Sequence, residues 1–118
     1  MLPFTVEQFF SVFAAYNQAI WPAQVVAYVV AAVAVWAILW RRPWAGRAAA
    51  AILGGMWLGN GLAYHLAFFA LINPAAYGFA ALFLLQGVLF IGHGVIGNGL
   101  SFAKSLDWRG ALGILLIL

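Results

Sequence analysis

Residues 48–72, AAAAILGGMWLGNGLAYHLAFFALI, and residues 75–97, AAYGFAALFLLQGVLFIGHGVIG, flank Asn73-Pro74 and contain no charged side chain. As helices rising ~1.5 Å per residue, each is long enough to cross about 30 Å of hydrocarbon. The residue before a proline avoids the α region, so Asn73 stops the first helix, and Pro74 can open the second. The pair reads as a transmembrane hairpin with almost no loop. The other segments are read as packing around it.

Composition agrees with a membrane solvent. The chain is 68% hydrophobic and 6% charged, with a mean hydropathy of +1.08. Soluble domains carry about a quarter charged residues, and five bases with two acids cannot wet this much apolar surface. The net charge of +3 is too small and too dispersed for a nucleic-acid footprint, so the bases are read as topology signals. With no cysteine, disulfides, thiolate metal sites and Cys nucleophiles are excluded. Several of the six Trp sit at segment ends, where an interfacial belt is expected.

Upstream of the hairpin, residues 5–18 predict a short helix. Thr5 and Gln8 have capping-box spacing, each able to satisfy a free backbone N–H of the first turn. Val6, Phe9, Phe10, Phe13 and Tyr16 then share one face, with Glu7, Ser11 and Gln18 opposite. A helix this short and polar is expected to lie in the membrane interface, the alternative being a frayed end of the first span. Residues 22–40 form that first span, opened by Pro22 and closed by Trp40 and Arg41-Arg42-Pro43. Residues 48–72 and 75–97 are the second and third spans. The polar stretch from Asn98 to Gly110 holds Lys104, Asp107 and Arg109, and residues 111–118 (ALGILLIL) begin a fourth apolar segment. Eight residues cannot span a bilayer, so the expectation is a longer chain cut at Leu118.

The bases alternate with the spans. Arg41, Arg42 and Arg47 crowd the link between spans one and two, Lys104 and Arg109 follow span three, and Asn73-Pro74 has none. The positive-inside rule puts both basic links in the cytoplasm and the N-terminal helix outside. The fold class expected is all-α integral membrane: an N-terminal interfacial amphipathic helix, three transmembrane helices and the start of a fourth.

PFTVEQFF at 3–10, YNQAIWPAQ at 16–24, YHLAFFALINPAAYGF at 64–79 and FLLQGVLF at 83–90 together carry a family resemblance. The sequence resembles bacterial multi-pass membrane proteins grouped only as a domain of unknown function. The resemblance covers nearly the whole of this sequence but only the N-terminal half of typical members. That resemblance implies the bacterial inner membrane and further spans beyond Leu118, and it brings no activity, cofactor or catalytic residue with it.

The embedded polar residues are Asn60 and His65 on the second span and Gln86 and His93 on the third. Asn60 and Gln86 are equidistant from the turn, so an antiparallel hairpin brings them to one depth, where a mutual hydrogen bond would act as glue; a ligand or solute path is the alternative. Ala51, Gly55, Gly59 and Ala63 recur every four residues, a stripe that lets another backbone approach. His65 and His93 are the candidate cofactor ligands. Their distances from the turn differ by about 18 Å along the axis, so one bis-His haem cannot use both within the hairpin. A single His could hold a chlorin or haem, and Gly61 would leave room for a ring beside His65. No cofactor is the leading expectation, and no metal site is predicted.

Catalytic pairs are missing. Glu7 and Asp107, the only carboxylates, belong to opposite membrane faces, and no acid lies inside a span, unlike carboxylate-type pumps. The leading expectation is a non-enzymatic structural or accessory subunit, in contact with lipid and with other membrane subunits or copies of itself, and with no nucleic acid. A small transporter half and a pigment, haem or quinone binder are the alternatives.

Overall fold

The structure, a computed structural model, describes residues 1–102 and 107–117, and all its regular elements there are helical. Helix α1 is Val6–Ala19, α2 is Ala23–Leu39, and α3 is Ala45–Gly59. α3 continues without a break as a wider π-helix, Asn60–Phe68, and a final 3₁₀ turn, Phe69–Leu71. α4 is Ala76–Leu89 and continues as a second π-helix, Phe90–Ile96. α5 is Trp108–Ile117. Lys104, assigned above to the second basic link, and Leu118 lie outside the described residues.

α3 with its π extension is the central element: α4 lies along it, while α2 and α1 pack on it as well. The tight reversal between α3 and α4 is made by Asn73, whose Oδ1 accepts from the Ala75 N–H at 3.1 Å while its carbonyl accepts from Ala76 at 3.0 Å. An asparagine that mimics a backbone turn before proline needs no further loop. At the other end of the chain the capping box forms as its spacing requires, with Thr5 N–H donating to Gln8 Oε1 at 2.8 Å and Gln8 N–H donating to Thr5 Oγ1 at 3.2 Å. From that start α1 runs across the π-helix of α3. Phe9, Val12 and Tyr16 face inward, whereas Val6 and Phe10 stay exposed.

α2 follows a cis Trp21–Pro22 bond and ends in a Schellman motif: Arg41 N–H donates to Ile38 and Arg42 N–H donates to Ala37. The residue that turns left-handed there is Arg41, φ 52°, where glycine is usual. A side chain in that conformation costs on the order of 1 kcal/mol.

Among the described residues one helix, Ala76–Ile96, is able by length and composition to cross a membrane; α1 and α2 meet the same criterion only as a pair, bent by 76°. The three crossings expected from the sequence are therefore not reached by single helices on this measure. α2 has 17 residues, about 26 Å of rise. The long helical run 45–71 carries Arg47, Asn60 and His65, which dilute its apolar character.

Candidate functional site

The α3–α4 contact is a seam of glycines. A Cβ added at Gly54 would meet Ile91 Cδ1 at 2.7 Å and the Gly87 carbonyl at 3.2 Å; one added at Gly87 would meet Leu58 Cγ at 2.6 Å and the Gly54 carbonyl at 3.1 Å. One turn or two further along, Gly94 abuts the Ala50 side chain, and Ala50 is fully buried. Backbones this close leave no room for side chains. The stripe marked in the sequence is left open by the chain itself: Ala51, Gly55 and Gly59 are exposed, Ala63 is half-buried, and nothing lies within 4 Å of a Cβ at Gly55 or Gly59. Two small-residue stripes run side by side on α3, about 100° apart, and the Ala50/Gly54 one faces α4.

His65 stands at the middle of the first π-helix with 8% of its surface exposed. Its ring meets Phe83 edge-on at 4.5 Å and Tyr64 at 5.1 Å, with Phe79 at 5.8 Å and Phe69 at 6.2 Å. Its Nδ1 is buried without a hydrogen-bond partner. The space that Gly61 was expected to leave for a ring is taken: Leu84 Cδ2 and Phe83 Cβ lie 3.1 and 3.2 Å from where its Cβ would be. A macrocycle on that face would have to displace both. His93 is exposed in the second π-helix, and its backbone carbonyl accepts from Gly99 at 2.7 Å. Among the described residues no three His, Asp or Glu gather where a metal could be held.

An unpaired buried nitrogen makes His65 a liability to the isolated chain. His65→Leu is therefore expected to raise stability by about 1 kcal/mol, since an unsatisfied polar group no longer has to be buried. Thermal unfolding in a mild detergent measures this. A marked loss of stability would mean that the ring contacts with Phe79 and Phe83 outweigh the cost of the unpaired nitrogen.

The amides separate rather than meet. Asn60 Nδ2 donates to the Met56 carbonyl of its own helix at 3.3 Å, in place of the expected bond to Gln86. Asn60 follows Gly59 on the open stripe, so it lines a cleft of about 440 Å³ between α1, α2 and α3, together with Tyr16, Ile20, Gln24, Tyr28 and Gly59. Gln24 Nε2 donates to the Asn17 carbonyl at 2.7 Å, which leaves its buried Oε1 without a donor. The sequence marks Gln24 only as a polar residue near a span entry. Its role in the cleft depends on the angle of the bend between α1 and α2, of which Trp21-Pro22 marks the place but not the size.

These features define an all-helical protein built on one tight glycine-seamed hairpin, with a buried histidine and no assembled catalytic group among the described residues. Residues 6–118 match the family described as "Family of unknown function (DUF6064)", and the chain belongs to it. No curated protein and no solved structure matches it.

Proposed function

We propose that the chain is a non-enzymatic structural subunit of the bacterial inner membrane, packing against a second membrane protein through Ala51, Gly55 and Gly59. The observation that carries this reading is the surface of Ala76–Ile96: a 21-residue helix of mean hydropathy 2.0 with only 17% of its apolar window buried. The core helix of a soluble protein is mostly covered by its own chain. This one turns its leucines and valines outward, as a lipid-facing helix does.

On this reading α2, the run 45–71 and the run 76–96 are three crossings, and α5 begins a fourth. α1, bent sharply away from α2, lies along the outer interface with its charged side in water. The links with Arg41, Arg42, Arg47, Lys104 and Arg109 face the cytoplasm. Between helices in lipid, close backbone approach supplies the attraction that water supplies elsewhere. Glycines with open space above them are then unfilled contact sites. The cleft beside Gln24 and Asn60 supports a second reading, a site for a small amphiphile or a solute path, because Gln24 Oε1 lacks a donor that such a molecule could bring.

Two measurements test the proposal. In intact cells, Asn73→Cys should react with a membrane-impermeant thiol reagent and Arg42→Cys should not. The full-length protein, gently solubilised, should run as an assembly that falls to a single chain when Gly55 and Gly59 are both replaced by leucine, with its helicity unchanged. The reverse labelling pattern overturns the topology. A monodisperse monomer indifferent to the double substitution overturns the subunit reading.

A further inference from the structure

We infer that the cavity between the α2–α3 link and the segment after α4 is a binding site for a phosphate group, in first place the headgroup of an anionic phospholipid. The cavity, about 450 Å³, is lined by Arg41, Arg42, Asn98 and Ser101 over a floor that includes Gly46 and Leu100. That is the size of an ordinary small-molecule site. Two arginines, an asparagine and a serine contribute to its walls. No carboxylate lines it, and neither arginine has an ion-pair partner among the described residues.

The walls are built at a cost that the bare fold does not require. Among the described residues Arg41 and Asn98 are the non-glycine residues with positive φ, 52° and 50°, and both line this cavity. Glycine would close α2 with less strain than Arg41 does. An arginine kept in a glycine position points to work for its side chain. Opposite it, Gly46 lets the Leu100 carbonyl come against α3, which holds the 98–102 segment over the cavity. Arg42 is steadied by the Trp36 ring, 5.2 Å from its guanidinium carbon, and Trp36 stacks on Trp40. Arginine forks match phosphate oxygens two at a time, and tryptophans of this kind mark the depth of lipid headgroups. A basic pocket between helix ends on the cytoplasmic side suits an anionic headgroup.

The choice of lipid as the source rests on the membrane reading above; the phosphate chemistry does not. Native mass spectrometry of the full chain, released from micelles containing phosphatidylglycerol or phosphatidylcholine, tests both. Each arginine near an anionic surface contributes about fivefold, so with two of them phosphatidylglycerol should be preferred about 25-fold. Arg42→Gln should lose about fivefold of that preference. Arg41→Gly should lose as much while unfolding at a higher temperature, because it relieves the strained turn. Arg47→Gln, an equal charge change at the same end of the molecule but outside the cavity, should leave the preference intact. Displacement of the lipid by millimolar inorganic phosphate assigns the site to free phosphate, and retention assigns it to the headgroup. Equal retention of the two lipids with no phosphate binding, or an Arg47→Gln loss as large as that of Arg42→Gln, overturns the site. Thiol labelling reports on the membrane reading separately, and phosphate binding in micelles stays measurable if that reading fails.

Discussion

Gly54→Leu is expected to destabilise the hairpin by about 3 kcal/mol or more, whereas Gly55→Leu, one position on, should change it by no more than about 1 kcal/mol in the stabilising direction. Both substitutions add the same side chain to the same helix and share the same gain in helix propensity. They differ only in what the new atoms meet. At Gly54 the first carbon already collides with Ile91 and presses on the Gly87 carbonyl, while at Gly55 it meets nothing. Ile91 can shift its side chain, but a backbone carbonyl on the facing helix can move only if the whole seam opens. Overpacking in a closed core costs about 1–3 kcal/mol when side chains alone give way, and more when backbones must part. Denaturation of the two variants in the same detergent reads the difference. Gly87→Leu should behave like Gly54→Leu, because the two glycines face each other. Equal stabilities for Gly54→Leu and Gly55→Leu would mean that the seam does not hold the hairpin.

How much of this is legible without a structure differs by element. The α1 start and the α3–α4 reversal are set by residues three or fewer positions apart, Thr5 with Gln8 and Asn73 with Ala75, so spacing alone reveals them. The hairpin itself follows from two long uncharged runs around a proline. The seam is another matter. Small residues on α3 form two neighbouring stripes, and pattern alone cannot say that α4 covers Ala50 and Gly54 while Gly55 and Gly59 stay open. The π-helices over Asn60–Phe68 and Phe90–Ile96 are not anticipated by a reading that assumes a period of 3.6, because the i→i+5 register is rare. They displace the faces expected from a period of 3.6. That is one reason Asn60 and Gln86, level with each other by count, do not pair. The sequence marks His65 by its chemistry alone, and its aromatic surroundings depend on Phe79 and Phe83 arriving from α4. The cavity at Arg41 and Asn98 joins residues far apart in the chain, with strain that only backbone angles reveal.

Phe69→Ala is expected to release α1 from the bundle at a cost of about 3 kcal/mol. Phe69 sits in the 3₁₀ turn that ends the long third helix, 8% exposed. Its ring meets Phe4 at 5.7 Å, Phe9 at 6.1 Å and Tyr64 at 5.6 Å, and Tyr64 in turn stacks on Phe13 at 5.2 Å. The first two of these partners come from the N-terminal arm and α1, so Phe69 is where that arm is anchored. Aromatic pairs contribute about 0.5–1.5 kcal/mol each beyond burial. The Phe4, Phe9 and Tyr64 pairs alone therefore reach the predicted figure even if the medium around α1 is lipid, where the transfer term is small. Alanine also leaves a hole that the fixed end of the helix cannot close, because Asn73 N–H and Ile72 N–H both donate to the Phe69 carbonyl and hold the turn in place. Phe69→Leu should recover part of the loss by filling volume without the ring geometry. Limited proteolysis separates the outcomes: cleavage within residues 6–19 should become fast in Phe69→Ala while the α3–α4 hairpin stays intact. Uniform protection in that variant would place the anchor of α1 elsewhere, and uniform loss would make α1 part of one cooperative unit with the hairpin.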